Sequence, residues 1–130
     1  MTNETKKPKV VVVDDEPDFL KLVSSWLRPS YEVVCLTGAE GACEEIAALE
    51  PDAVVLDVHM PDKSGFAVCR ELRAKPGGAD LPIVFLTGSK TDEDFLQHLE
   101  TGGSRYLTKP IGRQALLEAL AEQLGGTPAG

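Results

Sequence analysis

The chain predicts an α/β fold built on a parallel sheet, and three observations carry that expectation. Short, Val-rich apolar runs recur along the sequence, amphipathic segments at helical spacing separate them, and the two kinds alternate strictly. Runs that are apolar almost throughout fit strands covered on both faces, which is the situation inside a parallel sheet. Right-handed crossovers then follow from the alternation.

The first strand is expected over Lys9–Val13. Phe19, Val23, Trp26 and Leu27 share one face of a first helix, with Pro29 just past its end. Glu32–Leu36 is the second strand, and Ala42, Ile46 and Leu49 give a second, shorter helical face. Ala53–Asp57 is the third strand. Phe66, Cys69 and Leu72 form the next helical face, which ends at the breaker Lys75-Pro76-Gly77-Gly78. Ile83–Thr87 is the fourth strand, followed by a face of Phe95, Leu96 and Leu99 and a stop at Gly102-Gly103. Arg105–Thr108 is the fifth strand, and Leu116, Leu117, Leu120 and Leu124 line the last helix.

With 130 residues, 42% of them apolar, the chain suits one domain with a real core. Residues 1–8 are expected to be a flexible tail, 9–124 the domain, and 125–130, rich in Gly, a tail or linker. The 13 basic and 21 acidic residues give a net charge of −8, which argues against direct binding to nucleic acid, whose phosphates must be neutralised by Lys and Arg. No apolar run is long enough to cross a bilayer, and the opening residues lack the apolar core of a signal peptide. Cys35, Cys43 and Cys69 lie within apolar stretches without zinc-ligand spacing, so all three are expected as small core residues in a reducing cytoplasm.

Chemistry is concentrated where the strands end. The first strand runs into Asp14-Asp15, the third into Asp57, the fourth ends at Thr87, and the fifth runs into Lys109-Pro110. Ligands of open parallel α/β sheets bind at the carboxyl ends of the strands, so these residues can converge. Carboxylates packed together repel, and Lys109 alone leaves excess negative charge. A hard divalent ion with oxygen ligands corrects the imbalance, and Mg²⁺, with Mn²⁺ as the alternative, suits few carboxylates that wait for a phosphate. Lys109 and Thr87 can meet phosphoryl oxygens while Asp57, alone at a central strand end, attacks in line. Each residue also has an ordinary role: Asp14-Asp15 before Glu16-Pro17 can cap a helix, and Lys-Pro can be a turn. Their occurrence together, in this order, is what points to phosphoryl chemistry.

From Lys9 to Leu124 these residues resemble the receiver domain of two-component response regulators. Val12-Val-Asp-Asp-Glu16 is similar to the family's acidic opening, and Asp57-Val-His-Met-Pro-Asp-Lys-Ser-Gly65 to its phosphoacceptor segment. Phe85-Leu-Thr-Gly88 resembles its switch-threonine segment, and Tyr106-Leu-Thr-Lys-Pro110 its aromatic-and-lysine segment. The resemblance implies a flavodoxin-like (βα)5 three-layer sandwich with strand order 2-1-3-4-5. It also implies that a sensor histidine kinase or phosphotransfer protein phosphorylates Asp57. Asp15, Asp57 and the His59 backbone carbonyl would ligate Mg²⁺, with Asp14 acting through water, and Thr87 and Lys109 would bind the phosphoryl group. The Lys109-Pro110 bond would be cis, and His59 and Ser89 would tune dephosphorylation.

Phosphorylation is then expected to draw Thr87 toward the phosphoryl group and let Tyr106 turn inward, although Tyr106 is equally well read as a half-buried strand aromatic. The affected face would join the fourth helix, fifth strand and fifth helix, with Leu96, Leu99, Glu100, Arg105, Gln114 and Glu118 as contacts for a partner or output domain. A phosphorylation-dependent homodimer is compatible with that face. The chain is expected either to stand alone or to be the receiver of a longer regulator, and to act on no substrate beyond its own phosphorylation and autodephosphorylation. Three rival readings compete with this one. A haloacid-dehalogenase-type phosphohydrolase carries Asp-x-Asp on its first strand and needs a substrate cap. A flavodoxin-like electron carrier needs a Gly/Ser/Thr-rich phosphate loop where this chain has Asp14-Asp15-Glu16-Pro17-Asp18. A phosphorylation-independent docking module has no need of the filled site.

Overall fold

A computed structural model describes residues 7–88 and 105–125. Its elements are β1 (Lys9–Val13), α1 (Pro17–Leu27), β2 (Glu32–Leu36), α2 (Ala42–Leu49), β3 (Ala53–Asp57), α3 (Gly65–Arg73), β4 (Ile83–Thr87), β5 (Arg105–Thr108) and a C-terminal helix (Arg113–Gln123). All strand pairs are parallel, in the order β2-β1-β3-β4-β5, which is the flavodoxin-like arrangement. The expected helix through Phe95, Leu96 and Leu99, its stop at Gly102-Gly103, and Ser89 and Glu100 lie outside the described residues.

Strand alternation divides the apolar side chains between two layers. Val11, Val13, Val54, Leu56, Ile83 and Phe85 face α2 and α3, where Ile46, Cys69 and Leu72 meet them. Val10, Val12, Val55, Val84 and Leu86 face α1 and the C-terminal helix, meeting Val23, Leu27, Leu116 and Leu120. β3 and β4 are buried along their whole length, which is why their sequences show no polar alternation. Each such Val or Leu contributes about 1.5–3 kcal/mol by leaving water.

β2 is an edge strand, and there the expectation of Cys35 as a core residue fails. Its residues are only partly covered, and Cys35 is exposed, whereas Cys43 and Cys69 are core residues. An apolar run alone cannot distinguish an edge from a centre, because both pair through the backbone and only strand order decides which has a neighbour.

Helix starts set the loops around the carboxyl end of the sheet. Pro17 opens α1, where its missing N–H costs nothing and its fixed φ favours the first turn. Ser64 caps α3, its Oγ accepting the Ala67 N–H at 3.2 Å. α3 is held against β4 by Phe66 and Phe85, whose tilted rings lie 5.8 Å apart.

Candidate functional site

Four strand ends deliver the polar residues, and the backbone ladder continues past the strands to hold them. Asp14, the first residue after β1, donates its N–H to the Leu36 carbonyl at 3.1 Å. Val58, just after Asp57, donates to Leu86 at 3.0 Å, and Lys109, just after β5, donates to Thr87 at 2.7 Å. Asp57 is the last residue of β3 and pairs with Leu86, one residue before Thr87. The Lys109-Pro110 peptide is cis.

Two of the carboxylates so placed are buried, and one of them carries an oxygen without a hydrogen-bond partner. Asp14 is fully buried, and its Oδ1 accepts the Glu16 N–H at 2.9 Å. Its Oδ2 has no hydrogen-bond partner, although Lys109 Nζ stands 3.6 Å away. Glu16, not either aspartate, occupies the N-cap of α1, and its side chain makes no capping bond. Asp57 is 2% exposed; its Oδ1 lies 3.3 Å from Lys109 Nζ and 3.4 Å from the His59 N–H. Both contacts are longer than a good charge-assisted hydrogen bond.

Electrostatics follow from this shortage. Burial first, and then the Asp14 charge, push the Asp57 pKa up from 3.8 to about 6 against the pull of Lys109. Burial also raises Asp14, partly offset by the Glu16 N–H and Lys109. For Lys109, burial disfavours the ammonium, but Asp57 and Asp14 outweigh it and hold its pKa above the ordinary lysine value.

Asp14, Asp15 and Asp57 each offer a carboxylate oxygen within 4.8 Å of the others'. Three carboxylates, one with an orphaned buried oxygen, against one ammonium fit a small hard cation with oxygen ligands. Thr87 is fully buried at the end of β4. His59 is exposed just beyond Asp57, and Tyr106 is half-buried against the α2–α3 layer. The structure thus brings Asp14, Asp15, Asp57 and Lys109 together and sets Thr87 one strand away from Asp57.

Two features of the surroundings were not singled out from sequence, and a third, Gly65, entered only as the end of the phosphoacceptor-like segment. A Cβ on Gly65 would run into the Asp57 carbonyl oxygen, so α3 can close on the end of β3 only with glycine there. Asp62 Oδ2 accepts the N–H groups of Ala39 and Glu40 at 3.0 and 2.8 Å, tying the loop after β3 to the loop after β2. Lys109 Nζ also sits 5.2 Å from the centre of the Phe19 ring. Phe19 carried only an apolar-periodicity signal, and its contact depends on a lysine from a distant strand.

Among the described residues no helix is long and apolar enough to cross a membrane. A family model for the response regulator receiver domain matches residues 10–121. The chemotaxis response regulator CheY4 of Vibrio cholerae is similar at 28% identity and TM-score 0.83, over 92% of this chain and 100% of that one. The receiver domain of the sensor histidine kinase PA1611 from Pseudomonas aeruginosa PAO1, with magnesium coordinated in its active-site cleft, matches at 27% identity and TM-score 0.83, over 92% and 99% of the two chains. The BeF3-activated DrrB receiver domain matches at 32% identity and TM-score 0.78, over 92% and 98%.

Proposed function

The chain belongs to the response regulator receiver domain family, a family of two-component signalling modules, and on that premise we propose that Asp57 accepts a phosphoryl group from a phosphohistidine. The donor is a sensor histidine kinase or a histidine phosphotransfer protein. The observation that carries this reading is the buried Asp57 beside Asp14 and Lys109, where three carboxylates face one ammonium and a buried Asp14 oxygen lacks a hydrogen-bond partner, a charge imbalance that favours an incoming cation.

Asp14, Asp15, Asp57 and the His59 backbone carbonyl are the residues to hold Mg²⁺, or Mn²⁺ in its place. When bound, the metal supplies positive charge against the phosphoryl oxygens. An ionised Asp57 Oδ forms the new bond to phosphorus as the N–P bond of the donor breaks, and the donor imidazole keeps that electron pair and takes up a proton. Lys109 moves from a carboxylate partner to a phosphoryl oxygen, and the Thr87 hydroxyl donates to another. His59 and Ser89 tune its hydrolysis by water.

The output follows from Thr87. Its movement toward the phosphoryl group makes room for Tyr106 and remodels the surface around β5 and the C-terminal helix, where Arg105, Gln114 and Glu118 lie. A near-complete switch requires roughly 5.5 kcal/mol of differential stabilisation, and charge-assisted bonds to a dianion supply energies of that order. A partner protein, an output domain or a second phosphorylated copy is what this surface recognises. Residues 9–124 form the functional unit, which acts in the cytoplasm and turns over no separate substrate. The test is incubation with acetyl phosphate and magnesium chloride followed by intact-mass and peptide mapping. One phosphoryl group on the peptide containing Asp57, absent from Asp57→Asn, is expected; undiminished labelling of Asp57→Asn overturns the assignment.

A further inference from the structure

Lys109 is held loosely by its acidic neighbours. Its Nζ is 3.3 Å from Asp57 and 3.6 Å from Asp14, and its side chain is still 30% exposed. An ammonium in that position can leave for water. On its remaining side stands the Phe19 ring, with its centre 5.2 Å away, inside the range in which the negative face of an aromatic ring attracts a cation.

Phe19 lies in the first turn of α1 and is only half-buried, packed at the edge of the layer that Leu20, Val23 and Leu27 fill. The ring therefore reaches the pocket while its helix neighbours supply the core. An attraction to a ring quadrupole differs from an attraction to a carboxylate in one respect. It survives when a cation or a covalent bond neutralises the carboxylate.

We propose that Phe19 is a positioning residue for Lys109: its ring keeps the ammonium inside the pocket when a divalent cation or a phosphoryl group claims Asp57 and Asp14. The inference rests on the reading of Asp57 as phosphoacceptor for its role in the reaction, but the hold on Lys109 is independent of it. Without the ring, Lys109 spends more time in water and meets the incoming phosphoryl oxygens less often.

The experiment replaces Phe19 with phenylalanines of increasing ring fluorination, which keep the shape and drain the π face, alongside Phe19→Leu and Phe19→Trp. Two readouts are taken on the full chain: the rate of phosphorylation by acetyl phosphate, and the rate at which acetic anhydride modifies Lys109 in magnesium chloride without any phosphodonor. Expected is a graded fall in phosphorylation and a graded rise in Lys109 modification with fluorination. Phe19→Leu should show about a threefold to tenfold change in each, and Phe19→Trp should restore both. Fluorinated chains that match the parent in both readouts overturn the proposal and leave Phe19 a packing residue, even if Phe19→Leu does not fold. If Lys109 modification tracks fluorination while no chain is phosphorylated, the hold by Phe19 stands and the phosphoacceptor reading fails.

Discussion

Asp57 and Asp62 sit at the two ends of one short loop and have opposite environments. Asp57 is buried with a long contact to a lysine and one to a backbone N–H, and its pKa rises to about 6. Asp62 reaches from the surface to the N–H groups of Glu40 and Ala39, and these hold its carboxyl below the ordinary value. Two identical side chains thus differ because one is exposed and accepts two neighbouring N–H groups, whereas the other is buried beside a second carboxylate. An exposed carboxylate tied to backbone donors is structural; one buried against a like charge attracts cations and electrophiles.

Removing the charge at the buried position should have the largest effect. Asp57→Asn is expected to abolish phosphoryl acceptance and, without metal at pH 7, to raise the thermal midpoint. An amide costs less to bury than a carboxylate, and it removes the charge repulsion with Asp14. A midpoint below that of the parent in a chelator-containing melt would break the contrast.

The pH dependence sharpens it. Because the folded state holds the Asp57 proton more tightly than the unfolded chain does, the contribution is full below about pH 4 and lost as pH rises through about 6. It amounts to about 3 kcal/mol at most. Metal-free protein should therefore lose stability between those limits, and magnesium chloride should restore more at pH 7 than at pH 5. Denaturant unfolding at several pH values, with and without metal, measures both. Asp62 has the opposite sign: its lowered pKa stabilises the fold above the unfolded value, and that contribution disappears as pH falls through the folded one.

Gly65→Ala is expected to cost about 1–3 kcal/mol and to weaken magnesium binding, since the added methyl group drives α3 away from the Asp57 carbonyl. Calorimetric titration with magnesium alongside denaturant unfolding separates the two losses. Asp62→Asn should be the mildest change. It keeps one acceptor, lowers the midpoint slightly at neutral pH and removes the acid-side loss, leaving phosphorylation nearly intact; a large drop in phosphorylation rate would show the two aspartates to be coupled.

The sheet was legible because buried parallel strands must be apolar on both faces, and β1, β3 and β4 are. The site was legible because its residues follow those runs directly, as Asp14, Asp57 and Lys109 do. What escaped depends on proximity between segments far apart in sequence. Nothing local distinguishes Phe19 from its core neighbours, or Asp62 from any loop aspartate, until β5 and the β2–α2 loop arrive beside them. Cys35 was misjudged for a related reason, because exposure on β2 is decided by the sheet order and not by the run that contains it.

The rungs that continue beyond the strands, from Asp14 to Leu36 and from Lys109 to Thr87, fix the spacing of the pocket at the level of the main chain. Crowded charges anchored on a rigid frame cannot drift apart to relieve their repulsion. The strain must then be released by something that arrives, or by torsions of the side chains themselves. Under the proposed phosphorylation, the response is expected to begin in side-chain torsions and loops above that frame.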